Sequence, residues 1–547
     1  MPTSYYQAIP YVMDHVRTEA PKSILDVGVG FGKYGVLCRE LLDVSNGRYH
    51  RDEWQVRIDG VEAYAGYRNP IYDHVYDSVF YQDIRELACK LPVYDVVLLV
   101  DVIEHMSKQE GLSLVNELLQ HTRKALLIST PLYPAPQGDA EQNCYERHCS
   151  RWTPLDFRAF DFSYHVVPVG DGGAQVFKLY PRPEGVTRFP IDSVWDHPVS
   201  ARHPLRIAYL LPHHNLTGGM RMLLEQVRTL QERHHKVRVL YRGSSSDSVL
   251  PAWANLRVED AVIVPVDQPY TQYVSDCDVL VAGWCEQLIE LSQAEKPVLY
   301  WEQGNEWLFG EFSTALQEPL MRKHIQRCYT QDIALAAVSP LVQEFLRVRY
   351  GRESFFVPNG IDTDVFYPGE APGDNTILLV GNPLLRFKGF DVALRALNRV
   401  WAAGYRFKVN WVCHVQPKVH GVTFPVRYVV NPPQNELPEW YRRADLFLFS
   451  SWYEGFGMPP LEAMASGLPV IATSCGGIDT YAVPGVNCLL VEPGDIDAMA
   501  AAVGYLLDDP EGRAILARGG RETALRFSWA NAVSRLEEAL QTVVTMR

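Results

Sequence analysis

Residues 25–35 read LDVGVGFGKYG. The apolar run SILDVGV enters this stretch and KYGVLCRELL, whose apolar residues recur at helical spacing, leaves it. A strand, a glycine-rich turn and a helix in that order form the unit in which a nucleotide-type cofactor meets free backbone amides. Two glycine frames overlap here. From Gly28 the pattern is G-x-G-x-G with Asp26 two residues ahead; from Gly30 it is G-x-G-x-x-G through Gly32 and Gly35. The second frame asks for an acid about 20 residues on, at the tip of the next strand. That region holds Val44, Ser45 and Asn46, and the next strand-like run, VRIDGVE, ends only at Glu62. The first frame fits better, and Gly35 reads as a close-packing helix residue.

Further along, YDVVLLV and KALLIST are short apolar runs of the kind buried in parallel sheets, with GLSLVNELLQHTR helical between them. This β-α rhythm marks a doubly wound α/β fold. It breaks at residues 181–204, where five prolines and mixed polar residues read as a linker. It restarts at LRIAYLLP and again at NTILLVGN, and a last helical segment begins at about Trp529. The 547 residues therefore divide into three Rossmann-like units, 1–180, 205–370 and 371–547.

A net charge of −14 argues against a broad phosphate-binding face, so no nucleic-acid partner is expected. The ten cysteines include no C-x-x-C pair and suit reduced thiols in the cytoplasm. The N-terminal MPTSYYQAIPYVMDHVR lacks the basic start and apolar core of a signal peptide.

Asp26, Gly28, Gly30 and Gly32, followed by Glu62, by Asp83 in YQDI and by Asp101 ending VVLLVD, resemble class I methyltransferases. The resemblance implies S-adenosylmethionine on this loop. Glu62 would take both ribose hydroxyls, Asp83 would lie near the adenine amine, and Asp101 would stand at the fourth strand's tip. The series DVIEHM, LLIST-P and RH…W-T further resembles metal-dependent methyltransferases of small-RNA 3′ ends. That likeness implies Mg²⁺ or Mn²⁺ on Asp101, Glu104, His105 and His148. A second reading stands beside it, in which Glu104 supports the wall of the site and His105 is a general base.

Residues 357–366 (VPNGIDTDVF), 378–391 (LLVGNPLLRFKGFD) and 453–470 (YEGFGMPPLEAMASGLPV) resemble family-four retaining glycosyltransferases of the GT-B fold. The resemblance covers about residues 205–547 and implies a nucleotide-sugar donor. Arg386 and Lys388 would neutralise the diphosphate, Glu454 would contact the donor sugar, and Glu462 would bind the nucleotide ribose. The amides of Gly455, Phe456, Gly457 and Met458 would face the donor. The central Gly-Phe-Gly-Met-Pro-Pro cannot be helical throughout, which puts Glu454 on a loop and Glu462 on a helix. Gly218 and Gly219 open a helix whose free amides suit a phosphate. In this fold the last helix crosses back to the first lobe. Gln303, Asn305 and Glu306 are expected on the acceptor side, and the Asp276–Asp278 and Asp362–Asp364 pairs are read as loop acids or caps.

Together these readings predict a bifunctional enzyme of bacterial surface polysaccharide synthesis. One half transfers a sugar to a glycan or lipid-linked glycan, with peripheral membrane association in the lipid-linked case. The other half methylates a sugar hydroxyl. A non-catalytic methyltransferase-like module, or a nucleic-acid-modifying enzyme, are the alternatives.

Overall fold

The computed structural model describes residues 5–133, 135, 137–138, 143–169, 172–181, 203–244, 246–312, 314–315, 317–370 and 372–546. Most of the expected linker, residues 181–204, lies outside them. The chain forms two compact units: Met1–Thr187 with Glu306–Lys323, and Arg188–Asn305 with His324–Arg547.

The first unit holds seven strands: β1 (Ser23–Val27), β2 (Arg57–Val61), β3 (Ser78–Phe80), β4 (Tyr94–Val100), β5 (Thr122–Pro131), β6 (Phe162–Val169) and β7 (Gly172–Leu179). Their order is β3-β2-β1-β4-β5-β7-β6. β1 through β5 run parallel, whereas β7 pairs antiparallel with β5 and β6. All seven residues of β4 are buried, as expected of a central parallel strand covered on both faces. The expected helix after the glycine loop forms over Lys33–Leu42. A Cβ on its Gly35 would lie 2.3 Å from the Tyr76 ring, so Gly35 is the close-packing residue the sequence suggests.

Residues 306–323, expected within the 205–370 unit, complete the first unit instead. The Tyr164 amide donates to the Gly310 carbonyl at 2.8 Å. Lys178, 1% exposed, reaches Glu19 at 2.7 Å and the fully buried Glu318 at 3.3 Å. Arg322 forms a two-pronged pair with Asp161 and lies 3.7 Å from the Tyr180 ring centre. An isolated ammonium is costly to bury, and Glu318 supplies part of its compensation.

The second unit carries two parallel sheets. One comprises β8 (Arg206–Leu211), β9 (Lys236–Arg242), β10 (Asp260–Val264), β11 (Val279–Ala282), β12 (Val298–Glu302), β13 (Ala334–Ala337) and β14 (Phe355–Phe356), in the order β10-β9-β8-β11-β12-β13-β14. The other comprises β15 (Thr376–Val380), β16 (Lys408–Cys413), β17 (Val426–Val430), β18 (Leu446–Phe449), β19 (Val470–Thr473) and β20 (Leu489–Val491), in the order β17-β16-β15-β18-β19-β20. The final helix, Trp529–Thr545, returns to the first of these sheets. Its Glu537 bonds Arg233 at 2.5 Å and His235 at 3.0 Å, and Gln541 donates to the His203 carbonyl at 2.7 Å. Among the described residues no helix is long and apolar enough to cross a membrane.

Candidate active sites

In each sheet the strand order reverses beside the first strand, and the loops leaving the carboxyl ends there form a crevice suited to a ligand. In the first unit the crevice is a cavity of about 490 Å³. Gly28, Gly30 and Gly32 all adopt positive φ, which only glycine reaches without strain. A Cβ on Gly28 would also lie 2.5 Å from the Val102 side chain. The Gly30 amide donates to Glu62 at 2.9 Å, Tyr64 donates to the other Glu62 oxygen at 2.9 Å, and the Tyr72 hydroxyl holds the Gly30 carbonyl.

Glu62, Asp83, Asp101, Glu104, His105 and His148 line this cavity, with Gly28 and Gly30. Asp26 and Gly32, expected at the cofactor, do not. Asp26 lies buried behind the loop and accepts from the Tyr76 hydroxyl at 2.6 Å. Burial, offset in part by that bond, lifts its carboxyl to about 7. Asp26 therefore shapes the turn from behind. Asp83 caps the short helix Ile84–Leu87 and is gripped by Arg85. Burial raises it, but the hydrogen bonds and charge of Arg85 outweigh this and hold it below the usual carboxylate range.

Glu104, 2% exposed, has one carboxylate oxygen without a hydrogen-bond partner. Burial, and then the charge of Asp101, push its carboxyl well above the ordinary range. The ligand atoms of Glu104, His105 and His148 lie within 4.8 Å of one another. His105 Nδ1 faces the Arg147 carbonyl at 3.2 Å and His148 Nδ1 faces the Ala135 carbonyl at 2.5 Å. A carbonyl can only accept, so each Nδ1 carries a proton and, in the neutral ring, Nε2 is the nitrogen with the lone pair. Burial, then His105, lower the His148 pKa and favour its neutral ring. Asp101, expected as the fourth ligand, stands outside this group. Its φ of 51° is uncommon for a non-glycine residue, and Ser129 holds its carboxylate at 2.8 Å.

In the second unit, Gly389 follows the Arg386–Lys388 turn, where a Cβ would lie 2.0 Å from the Ser450 carbonyl. That approach brings the turn against the loop carrying Glu454. Lys388 Nζ bonds Glu454 at 2.7 Å and the Ser451 hydroxyl bonds the same oxygen at 2.8 Å. Arg386 is exposed, with no carboxylate partner among the described residues. Glu454 lies on a loop and Glu462 on the helix Met458–Ala465, as expected. Glu462 is buried, bonded to Tyr441 at 2.8 Å and to Arg221 at 3.2 Å.

Arg221 occupies the first turn of the helix Gly218–Glu232, so the predicted Gly-Gly helix start and the predicted acid meet through a residue the sequence reading passed over. A cation three residues into a helix that opens on Gly-Gly was the available signal. A Cβ on Gly455 would lie 2.1 Å from the Gln303 carbonyl, and Gln303 donates to the Gly219 carbonyl at 3.2 Å. Phe456 is buried against Tyr481 and Phe527, which leaves only its backbone to face a ligand. Asn305 bonds Glu302 and Tyr329, and Glu306 belongs to the first unit. Asp276 pairs with Arg238, while Asp278 and Asp362 accept backbone amides, as loop acids do.

Residues 374–509 match the family model described as glycosyl transferases group 1. The D-inositol 3-phosphate glycosyltransferase of Xylanimonas cellulosilytica is 34% identical over 233 residues, covering 38% of this chain and 55% of that protein. The MMP alpha-(1->4)-mannosyltransferase of Mycolicibacterium hassiacum is 31% identical over 201 residues, covering 34% and 49%. The chain thus spans about half the length of the curated relatives it matches. Among solved structures, Anabaena HepE in complex with UDP-glucose superposes with a TM-score of 0.52 at 17% identity, over 62% of this chain and all of that one. Sucrose-phosphate synthase from Thermosynechococcus elongatus gives 0.52 at 18%, over 63% and 100%. The two-sheet unit therefore has the GT-B fold, and residues 374–509 within it are similar to the glycosyl transferases group 1 family.

Proposed function

We propose that the two-sheet unit transfers a sugar from a nucleotide-sugar donor to a hydroxyl of a glycan or sugar-phosphate acceptor, with retention at the anomeric carbon. The observation that carries this reading is the Lys388–Glu454 contact of 2.7 Å on the loops where the strand order reverses. The bond from the anomeric carbon to the diphosphate oxygen breaks and one to the acceptor oxygen forms, and the acceptor proton is released. Charge develops on the leaving diphosphate, which Lys388 and the exposed Arg386 are placed to meet. The carboxylate of Glu454, held by Lys388 and Ser451, is oriented toward the donor sugar. Glu462, fixed by Tyr441 and Arg221, serves the nucleotide ribose. Glu454→Ala is expected to lower transfer about a hundredfold, the scale of losing one preorganised electrostatic group. Unchanged transfer by that variant, measured across a panel of nucleotide sugars, sinks the proposal.

For the first unit the reading is a methyltransferase that binds S-adenosylmethionine and acts on a sugar hydroxyl. It is supported by the glycine loop and Glu62 on one cavity. S-adenosylmethionine supplies a methyl group on a sulfonium. Gly28 and Gly30 let the backbone approach it, and Glu62 is held by two amides with lone pairs left for the ribose. Glu104, His105 and His148 would hold a divalent cation able to lower the pKa of a hydroxyl. Calorimetry with S-adenosylmethionine tests the reading: binding to wild type and none to Gly30→Arg is expected. The cytoplasm, where reduced cysteines persist, is the proposed location.

A further inference from the structure

We propose that the outer half of the first unit's cavity is a subsite for an uncharged sugar, with Glu146 as its polar anchor and Tyr67 and Tyr145 as its walls. The inference rests on the reading of the inner half as a cofactor site only for what it adjoins.

The floor of the cavity is Glu104, whose buried oxygen without a partner points to a ligand group yet to be supplied. The mouth is aromatic: Phe31 is 56% exposed and Tyr145 40%, and both line the cavity. Glu146 lines the same cavity. Its Oε1 accepts from the Tyr67 hydroxyl at 2.6 Å, and Gln137 Nε2 donates to its backbone carbonyl at 2.7 Å and to its Oε2 at 3.4 Å. No Lys or Arg pairs with Glu146 among the described residues. Its carboxylate is thus fixed in direction with lone pairs to offer, a preorganised acceptor for adjacent hydroxyls. Tyrosine faces beside a hydrogen-bonding carboxylate match a pyranose, which presents an apolar face and a polar edge.

Charge narrows the class. Glu62, Asp83, Asp101 and Glu146 face the cavity against Lys33 and Arg85. Arg85 is already bonded to Asp83 and Glu110. A phosphate ester would bring about two more negative charges to these carboxyl groups. The subsite therefore takes a neutral glycoside and refuses a phosphorylated sugar, the opposite preference from a phosphate-binding helix start.

The test uses the full chain and saturation-transfer NMR with methyl α-D-glucopyranoside and with glucose 1-phosphate. The glycoside is expected to bind, and Glu146→Gln and Tyr145→Ala are each expected to weaken it about tenfold, the scale of one charged hydrogen bond or one wall. The unfolding transition of the first unit, followed by near-UV circular dichroism, is expected to be the same in both variants, which shows that they are folded. Absence of glycoside binding that depends on Glu146, or binding of glucose 1-phosphate that depends on Glu146 and is as tight, overturns the inference. If wild type fails to bind S-adenosylmethionine while the Glu146-dependent glycoside signal persists, the methyl-transfer reading falls and the subsite stands.

Discussion

Asp26 shows how burial decides the behaviour of a single residue. It sits in β1, two residues before the first glycine of the turn, yet faces away from the cavity toward Tyr76. Its folded pKa of about 7 lies above the value of about 3.9 for a free aspartate. The folded state therefore binds a proton that the unfolded chain has lost, and stability falls as pH rises through the interval between the two values. Urea unfolding of wild type against Asp26→Asn measures this. The difference in stability, wild type minus variant, is expected to fall from pH 4 to pH 7 and to be flat above. A difference that is flat throughout means Asp26 is ionised in the fold. The acid-Gly-Gly-Gly spacing was legible in the sequence. The side to which Asp26 points was not, because Tyr76 lies 50 positions away.

Among elements, the helix Lys33–Leu42 ties the glycine loop to the rest of its unit. Gly35 lets it rest on Tyr76, whose hydroxyl in turn holds Asp26. Gly35→Ala would place a methyl group against the ring and push Tyr76 off Asp26. Overpacking of this kind costs about 1–3 kcal/mol, so a drop in the melting temperature of the first unit is expected, with weaker S-adenosylmethionine binding. An unchanged melting curve would show that the ring moves freely. The central strands and this helix were readable because their apolar runs and spacing are local signals. The β6–β7 hairpin was not anticipated. Its pairing with β5 joins Ile128 to Phe177, a contact that no local pattern announces.

Across the whole molecule, the chain leaves the two-sheet unit after Asn305 and returns at His324, and the excursion completes the first unit. A fragment of residues 1–187 lacks Glu318 and Arg322, leaving Lys178 with Glu19 alone and Asp161 without its guanidinium. Breaking a buried pair costs about 3–5 kcal/mol, a large share of a domain's stability. The fragment is expected to lack a cooperative unfolding transition by near-UV circular dichroism, and a sharp transition would show that it folds alone. The sequence by itself determined the α/β class, the glycine turns, the loop position of Glu454 and the helix of Glu462. Each is written in residues a few positions apart, where backbone sterics and periodicity act. Only the tertiary structure decided that Arg221 meets Glu462, that Tyr67 meets Glu146, that Asp101 stands outside the histidine group, and that residues 306–323 serve the first unit. These depend on bringing buried charged and polar groups to partners supplied by other parts of the chain, a requirement that acts only once the chain has folded.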